Sequence, residues 1–125
     1  MENNINPNQL SPLNLAFIGD CVFSLMVREN LITEANRPVN DLHKESVKLV
    51  NASKQAQFID LILPHLTETE IGIYKRGRNA HTSNSSKSST VEEYHKATGF
   101  EALFGYLYLK GEYDRLRQLF EIICE

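Results

Sequence analysis

From Leu13 to Cys124 the apolar residues recur at helical spacing, and the chain reads as all helical. Ser11 and Pro12 suit an N-cap and a first helical position, opening a helix expected to reach about Ile32. Residues 1–10, polar and rich in Asn, are expected to form a loose arm ahead of it. Asn36-Arg37-Pro38 breaks the pattern. A second helix then spans about Asn40 to Val50, with Leu42, Val47, Leu49 and Val50 apolar and His43, Lys44, Glu45 and Lys48 towards solvent. A third runs from about Ala52 to Leu63, facing Ala56, Ile59, Ile62 and Leu63 inward, and Pro64 helps to end it. Thr67 and Glu70 fit a capping box for a fourth, Glu68 to Arg78.

Residues 82–90 are nearly all small and polar and predict a flexible loop, about 81–90 with its margins. Thr90 and Glu93 suit the cap of a short helix through about Lys96. Thr98 then starts a fifth main helix closed by Gly111, and a sixth, Tyr113 to Cys124, puts Leu116, Leu119, Phe120 and Ile123 on one face. Residues 11–125 are expected to form a single domain.

The first helix breaks the amphipathic rule. Leu15, Ala16, Phe17, Ile18, Cys21, Val22, Phe23, Leu25, Met26 and Val27 leave almost no polar side, so it should be buried in a core or against a second subunit. Asp20 sits in the middle. A lone ionised carboxylate there is costly, so it must be paired, protonated, hydrogen-bonded or bound to a metal. Phe17 and Ser24, one turn away on either side, offer no cation. A distant Arg or backbone donors would explain Asp20 without any function, and a metal at the floor of an active site would explain it with one. Glu101 repeats the anomaly among Phe100, Ala102, Leu103, Phe104, Leu107 and Tyr108, although Thr98 and Glu101 also match a capping box. Each acid has a glycine nearby, Gly19 and Gly105, so the two helices are expected to cross closely and bring the carboxylates together. Two adjacent carboxylates are relieved by a shared proton or a divalent cation, and Mg²⁺ suits one or two carboxylates completed by water and phosphate oxygens.

Composition changes little in this picture. The 125 residues, 42% of them hydrophobic and 23% charged, fit one soluble globular domain, and the net charge of −3 is no mark of a nucleic-acid binder. Cys21 and Cys124 lie far apart in apolar contexts and suit reduced thiols in a cytoplasmic protein. No signal-like or membrane-spanning segment is evident, so no membrane role is expected. Against the acidic average, Lys75, Arg76, Arg78, Asn79, His81 and Lys87 cluster in one stretch. A solvated helix end with cations favoured by the macrodipole accounts for them. Beside a metal site, the same donors suit phosphate and ribose contacts, and His43 and Lys44 would extend that surface.

The stretch containing Phe17-Ile18-Gly19-Asp20 resembles the helical motif of the ribonuclease III family, and Thr98 to Leu109 resembles its second carboxylate helix. With Leu42 to Glu45 and Arg76 to Asn79 between them, the order is similar to the subgroup called Mini-ribonuclease III, over about Leu13 to Leu119. The resemblance implies an all-α endonuclease domain, a homodimer, and cleavage of double-stranded RNA with Mg²⁺ or Mn²⁺. It implies Asp20 and Glu101 as catalytic and metal-binding residues, and trimming of the 23S ribosomal RNA precursor. A ribosomal protein that presents the substrate is a further candidate partner. Larger members carry acids where this chain has Leu13, Ala16 and Thr98, which argues against a second tightly held metal. The alternative is a non-catalytic RNA-binding or ribosome-associated module of the same fold.

Overall fold

The computed structural model describes residues 5–80 and 90–125. Among these the chain forms six α-helices: α1 (Pro12–Glu34), α2 (Val39–Leu49), α3 (Ala52–Ile62), α4 (Glu68–Arg78), α5 (Val91–Leu109) and α6 (Tyr113–Cys124). Two single turns of 3₁₀ helix, Pro7–Gln9 and Leu63–His65, complete the order. The caps fall where the residue pattern puts them. The Ser11 hydroxyl accepts from the Asn14 amide, and Thr67 with Glu70 closes a reciprocal capping box. Gly111, at φ 79°, ends α5: its N–H donates to Tyr108 and that of Glu112 to Leu107, a Schellman arrangement that only glycine adopts without strain.

One boundary differs from expectation. A single helix runs from Val91 to Leu109, with no break between Lys96 and Thr98. Thr90 and Glu93 do form a capping box, but it starts the whole of α5. The Thr98 hydroxyl donates to the Tyr94 carbonyl one turn back, at 3.0 Å, so it decorates the helix interior instead of capping a new one. Glu101 therefore has no helix start to serve, and its capping explanation falls.

α5 is the axis of the molecule. α1, α3 and α4 all pack on it, and Ala97 to Phe100 and Ala102 to Leu107 are buried. Phe23, Phe58, Phe100 and Phe104 form one aromatic cluster, with Phe100 and Phe104 stacked at 4.5 Å and Phe23 edge-on to both. Each such ring contributes about 1.5–3 kcal/mol over its exposed state. Two glycine crossings bring backbones together. A methyl group on Gly19 would meet the Glu101 carbonyl, with the Gly105 amide nitrogen at 2.9 Å, and one on Gly105 would meet the Leu15 carbonyl. Opposite, a methyl on Gly77 would lie 2.8 Å from the Gly99 Cα.

α6 is tied down by charge. Arg115 donates to both oxygens of Glu70 at 2.8 Å and to the His65 carbonyl at 2.7 Å. Glu70 is 5% exposed, and the Arg115 guanidinium and the Thr67 amide outweigh its burial, holding its carboxyl below the usual range. Part of the expected loose arm is docked: Pro7 is buried, and the Tyr106 hydroxyl donates to Asn8 Oδ1 at 2.9 Å.

Candidate metal centre and nucleic-acid face

The Gly19–Gly105 crossing sets Asp20 of α1 beside Glu101 of α5, as the sequence pattern predicts. The surroundings of the two differ from the expected deep burial. Asp20 is exposed, while Glu101 is half-buried beneath it. α1 is not enclosed on all sides either. Leu15, Ala16, Val22, Phe23, Val27 and Leu31 face the core, but Phe17 is 82% and Leu25 63% exposed, with Leu13 and Cys21 also outward. One side of the helix serves the core, and the other is an uncovered apolar stripe.

Among the described residues no cation acts on Glu101. Burial pushes its carboxyl up to about 8, and the neighbouring charge of Asp20 pushes the same way. A hydrogen bond to Asp20 further favours its protonated form, and only the Gln55 amide acts to lower it. Gln55 comes from α3, is 3% exposed, and places Nε2 3.5 Å from Glu101 Oε2. Gln55 is not among the site residues expected from sequence. Its signal was there: the residue shares a helix face with Ile59 and Ile62, where a polar side chain demands a partner.

The oxygens that could hold a cation are those of the two carboxylates, with the Gln55 amide donating to Glu101 from behind. Hard cations take such oxygens, and Mg²⁺ needs no more than one or two carboxylates from protein. Among the described residues no group of three or more His, Cys, Asp or Glu side chains converges on one point. A divalent ion would let both carboxylates ionise together, which burial and mutual repulsion otherwise oppose.

The basic residues occupy two other places. Lys75, Arg76, Arg78 and Asn79 lie at the C-terminal end of α4, which crosses α5 at Gly77. Arg76 donates to the Leu10 carbonyl at 3.4 Å, and Arg78 lies 5.6 Å from the Tyr74 ring centre and bonds Asn79 at 3.3 Å. His43 and Lys44 are exposed on α2, around a groove shared with Arg37, Asp41, Glu45 and Lys48. His81 and Lys87, with most of the expected loop, lie outside the described residues.

The family described as Ribonuclease III domain matches residues 13–112, a span that contains Asp20, Gln55 and Glu101. The chain belongs to the ribonuclease III family. It is 50% identical to the Mini-ribonuclease 3 of Thermoanaerobacter sp. over 113 residues, 90% of this chain and 80% of that protein. It is 43% identical to the Mini-ribonuclease 3 of Symbiobacterium thermophilum, over 96% of this chain and 92% of that one. The crystal structure of a protein from Fusobacterium nucleatum superposes with a TM-score of 0.84 at 31% identity, covering 93% of each chain. The ribonuclease III fold expected from sequence is thus the fold observed. The relatives place the chain in the Mini-ribonuclease III subgroup, so it is an endoribonuclease, a phosphodiester hydrolase. Among the described residues no helix is long and apolar enough to cross a membrane.

Proposed function

We propose that this ribonuclease III-family enzyme is a Mg²⁺-dependent nuclease for double-stranded RNA, and that its substrate is the 23S ribosomal RNA precursor in the cytoplasm. The observation that carries the reading is Glu101, half-buried against Asp20 with no basic side chain of the described residues acting on it. Such a pair is built for a divalent ion. Asp20 and Glu101 would hold Mg²⁺, or Mn²⁺ in its place, each through carboxylate oxygen. When bound, the ion lowers the pKa of water and offsets charge on the phosphate. Asp20, on the open side, meets substrate and solvent, while Glu101 closes the site from within the helical core.

Lys75, Arg76, Arg78 and Asn79 at the end of α4, His43 and Lys44 on α2, and His81 and Lys87, between α4 and α5 in sequence, are the RNA-contacting set in this reading. Guanidinium and amide donors suit phosphates and 2′-hydroxyls, so recognition follows A-form shape more than sequence. The uncovered stripe of Leu13, Phe17 and Leu25 supports a homodimer, in which a two-fold axis supplies one site per RNA strand. Maturation of 23S ends, with or without a ribosomal protein presenting them, rests on the subgroup alone.

The decisive experiment incubates duplex RNA with wild type and with Asp20→Asn, with and without Mg²⁺. Wild type should cleave only with the ion, and the variant should bind RNA and dimerise but leave it uncut. Full cleavage by Asp20→Asn would remove the carboxylate pair from the chemistry and leave this reading without support.

A further inference from the structure

Gln55 is the one buried polar side chain among the described residues that reaches the carboxylate pair. Its helix, α3, otherwise buries Ala56, Phe58, Ile59 and Ile62, all apolar. An amide costs free energy in such a place unless it is hydrogen-bonded, and an apolar side chain of equal size would avoid that cost. Gln55 Nε2 donates to Glu101 Oε2, a bond between residues 46 apart in sequence. At 3.5 Å it is long for an amide donor to a carboxylate.

Three helices therefore meet at this point, and they contribute differently. α1 and α5 are locked by backbone contact at Gly19 and Gly105, which sets where the Cα atoms of Asp20 and Glu101 stand. It leaves the Glu101 side chain three rotatable bonds with which to turn. Within the described residues, the donor that can fix its carboxylate plane is the Gln55 amide, anchored on α3. The N-terminus of α3 is itself held by Asn51, whose side-chain oxygen accepts from the Lys54 amide at 2.9 Å.

We propose that Gln55 is a positioning residue for the divalent-ion site: by donating to one oxygen of Glu101, it turns the other towards Asp20. The inference rests on the carboxylate pair being that site. Gln55 itself touches neither the ion nor the RNA. Outer partners of this kind typically change metal affinity by about 10–100-fold when removed. A residue that merely filled space would leave affinity alone and show itself in stability.

The test is Mn²⁺ binding to RNA-free protein, followed by the electron paramagnetic resonance of free Mn²⁺, for wild type, Gln55→Leu and Asp20→Asn. Gln55→Leu should bind Mn²⁺ about tenfold more weakly. Its metal-free melting temperature should match or exceed that of wild type. On duplex RNA at limiting Mg²⁺, kcat should fall while KM for RNA stays within about twofold. Unchanged Mn²⁺ affinity in Gln55→Leu, with Asp20→Asn much weaker, overturns the role of Gln55 and leaves the carboxylate site standing. Unchanged affinity in both variants overturns both. If Gln55→Leu melts early, Gln55→Met, unbranched and of similar length, replaces it: weaker Mn²⁺ binding supports the positioning role, and unchanged binding overturns it.

Discussion

Glu70 and Glu101 are both glutamates sunk into helical packing, and they are opposites. Glu70 is 5% exposed and fully answered: Arg115 grips both oxygens, and the Thr67 amide donates to one of them. Glu101 faces another acid and one distant amide, with no guanidinium or ammonium beside it among the described residues. The first carboxyl is held below its usual range by its partners, and the second is pushed up to about 8 by burial and by Asp20. Burial alone, then, does not distinguish structure from function. The partner does. A paired acid pins α6 onto the start of α4, whereas an unpaired one keeps a place for a ligand.

Exchanging each acid for its amide separates the two roles most sharply. Glu101→Gln should cut duplex cleavage by at least ~10³-fold, about 4 kcal/mol of barrier, without lowering metal-free stability. Glu70→Gln should do the reverse. It removes the charge that answers Arg115 and should cost about 3–5 kcal/mol, while the folded fraction cleaves normally. Calorimetry and a gel assay on the same two preparations decide the matter, and equal stability loss in both would erase the contrast.

A smaller effect tests the crossing that creates the site. Gly19→Ala places a methyl against the Glu101 carbonyl and 2.9 Å from the Gly105 nitrogen. Overpacking against backbone costs about 3 kcal/mol, of which helix propensity returns at most ~1 kcal/mol. Both melting temperature and Mn²⁺ affinity should fall, since the helices must part to admit the group. A melting temperature equal to wild type would show that the backbones are not in contact.

A difference in pH slope is the last test of the contrast. Folding raises the proton affinity of Glu101 from a normal 4.5 to about 8. Between those values the folded, metal-free chain keeps a proton that the unfolded chain has released, so stability falls as pH rises through that window. Glu70 has the opposite sign. Its carboxyl ionises more readily when folded, so its contribution is present above pH 4.5 and is lost as pH falls through its lowered value. Melting curves from about pH 3 to about pH 9 without metal should show both limbs, the alkaline one vanishing in Glu101→Gln. A flat alkaline limb in wild type would mean that Glu101 is solvated.

Much of this was legible in the chain. Ser11-Pro12, the Thr67–Glu70 box and Gly111 are local signals, and local hydrogen bonds honour them, so most helix ends fall within a residue or two of expectation. The pairing of Asp20 with Glu101 was also legible, because an acid and a glycine recur together on two apolar helices. Thr98 misled for a physical reason: a threonine can cap a helix or bond back inside one, and its sequence neighbours do not say which.

By itself, then, the order of residues determined the all-helical class, most helix boundaries and the two acids that stand out from their surroundings. Those depend on contacts within a few residues, which a linear pattern records. Only the tertiary structure decided that Asp20 is open while Glu101 is half-buried, that Phe17 points outward, that Arg115 answers Glu70, and that Gln55 reaches Glu101 from a third helix. Each of these depends on how helices distant in sequence rotate about their axes as they pack around α5, and hydrophobic spacing leaves that rotation open wherever a helix is apolar on every side.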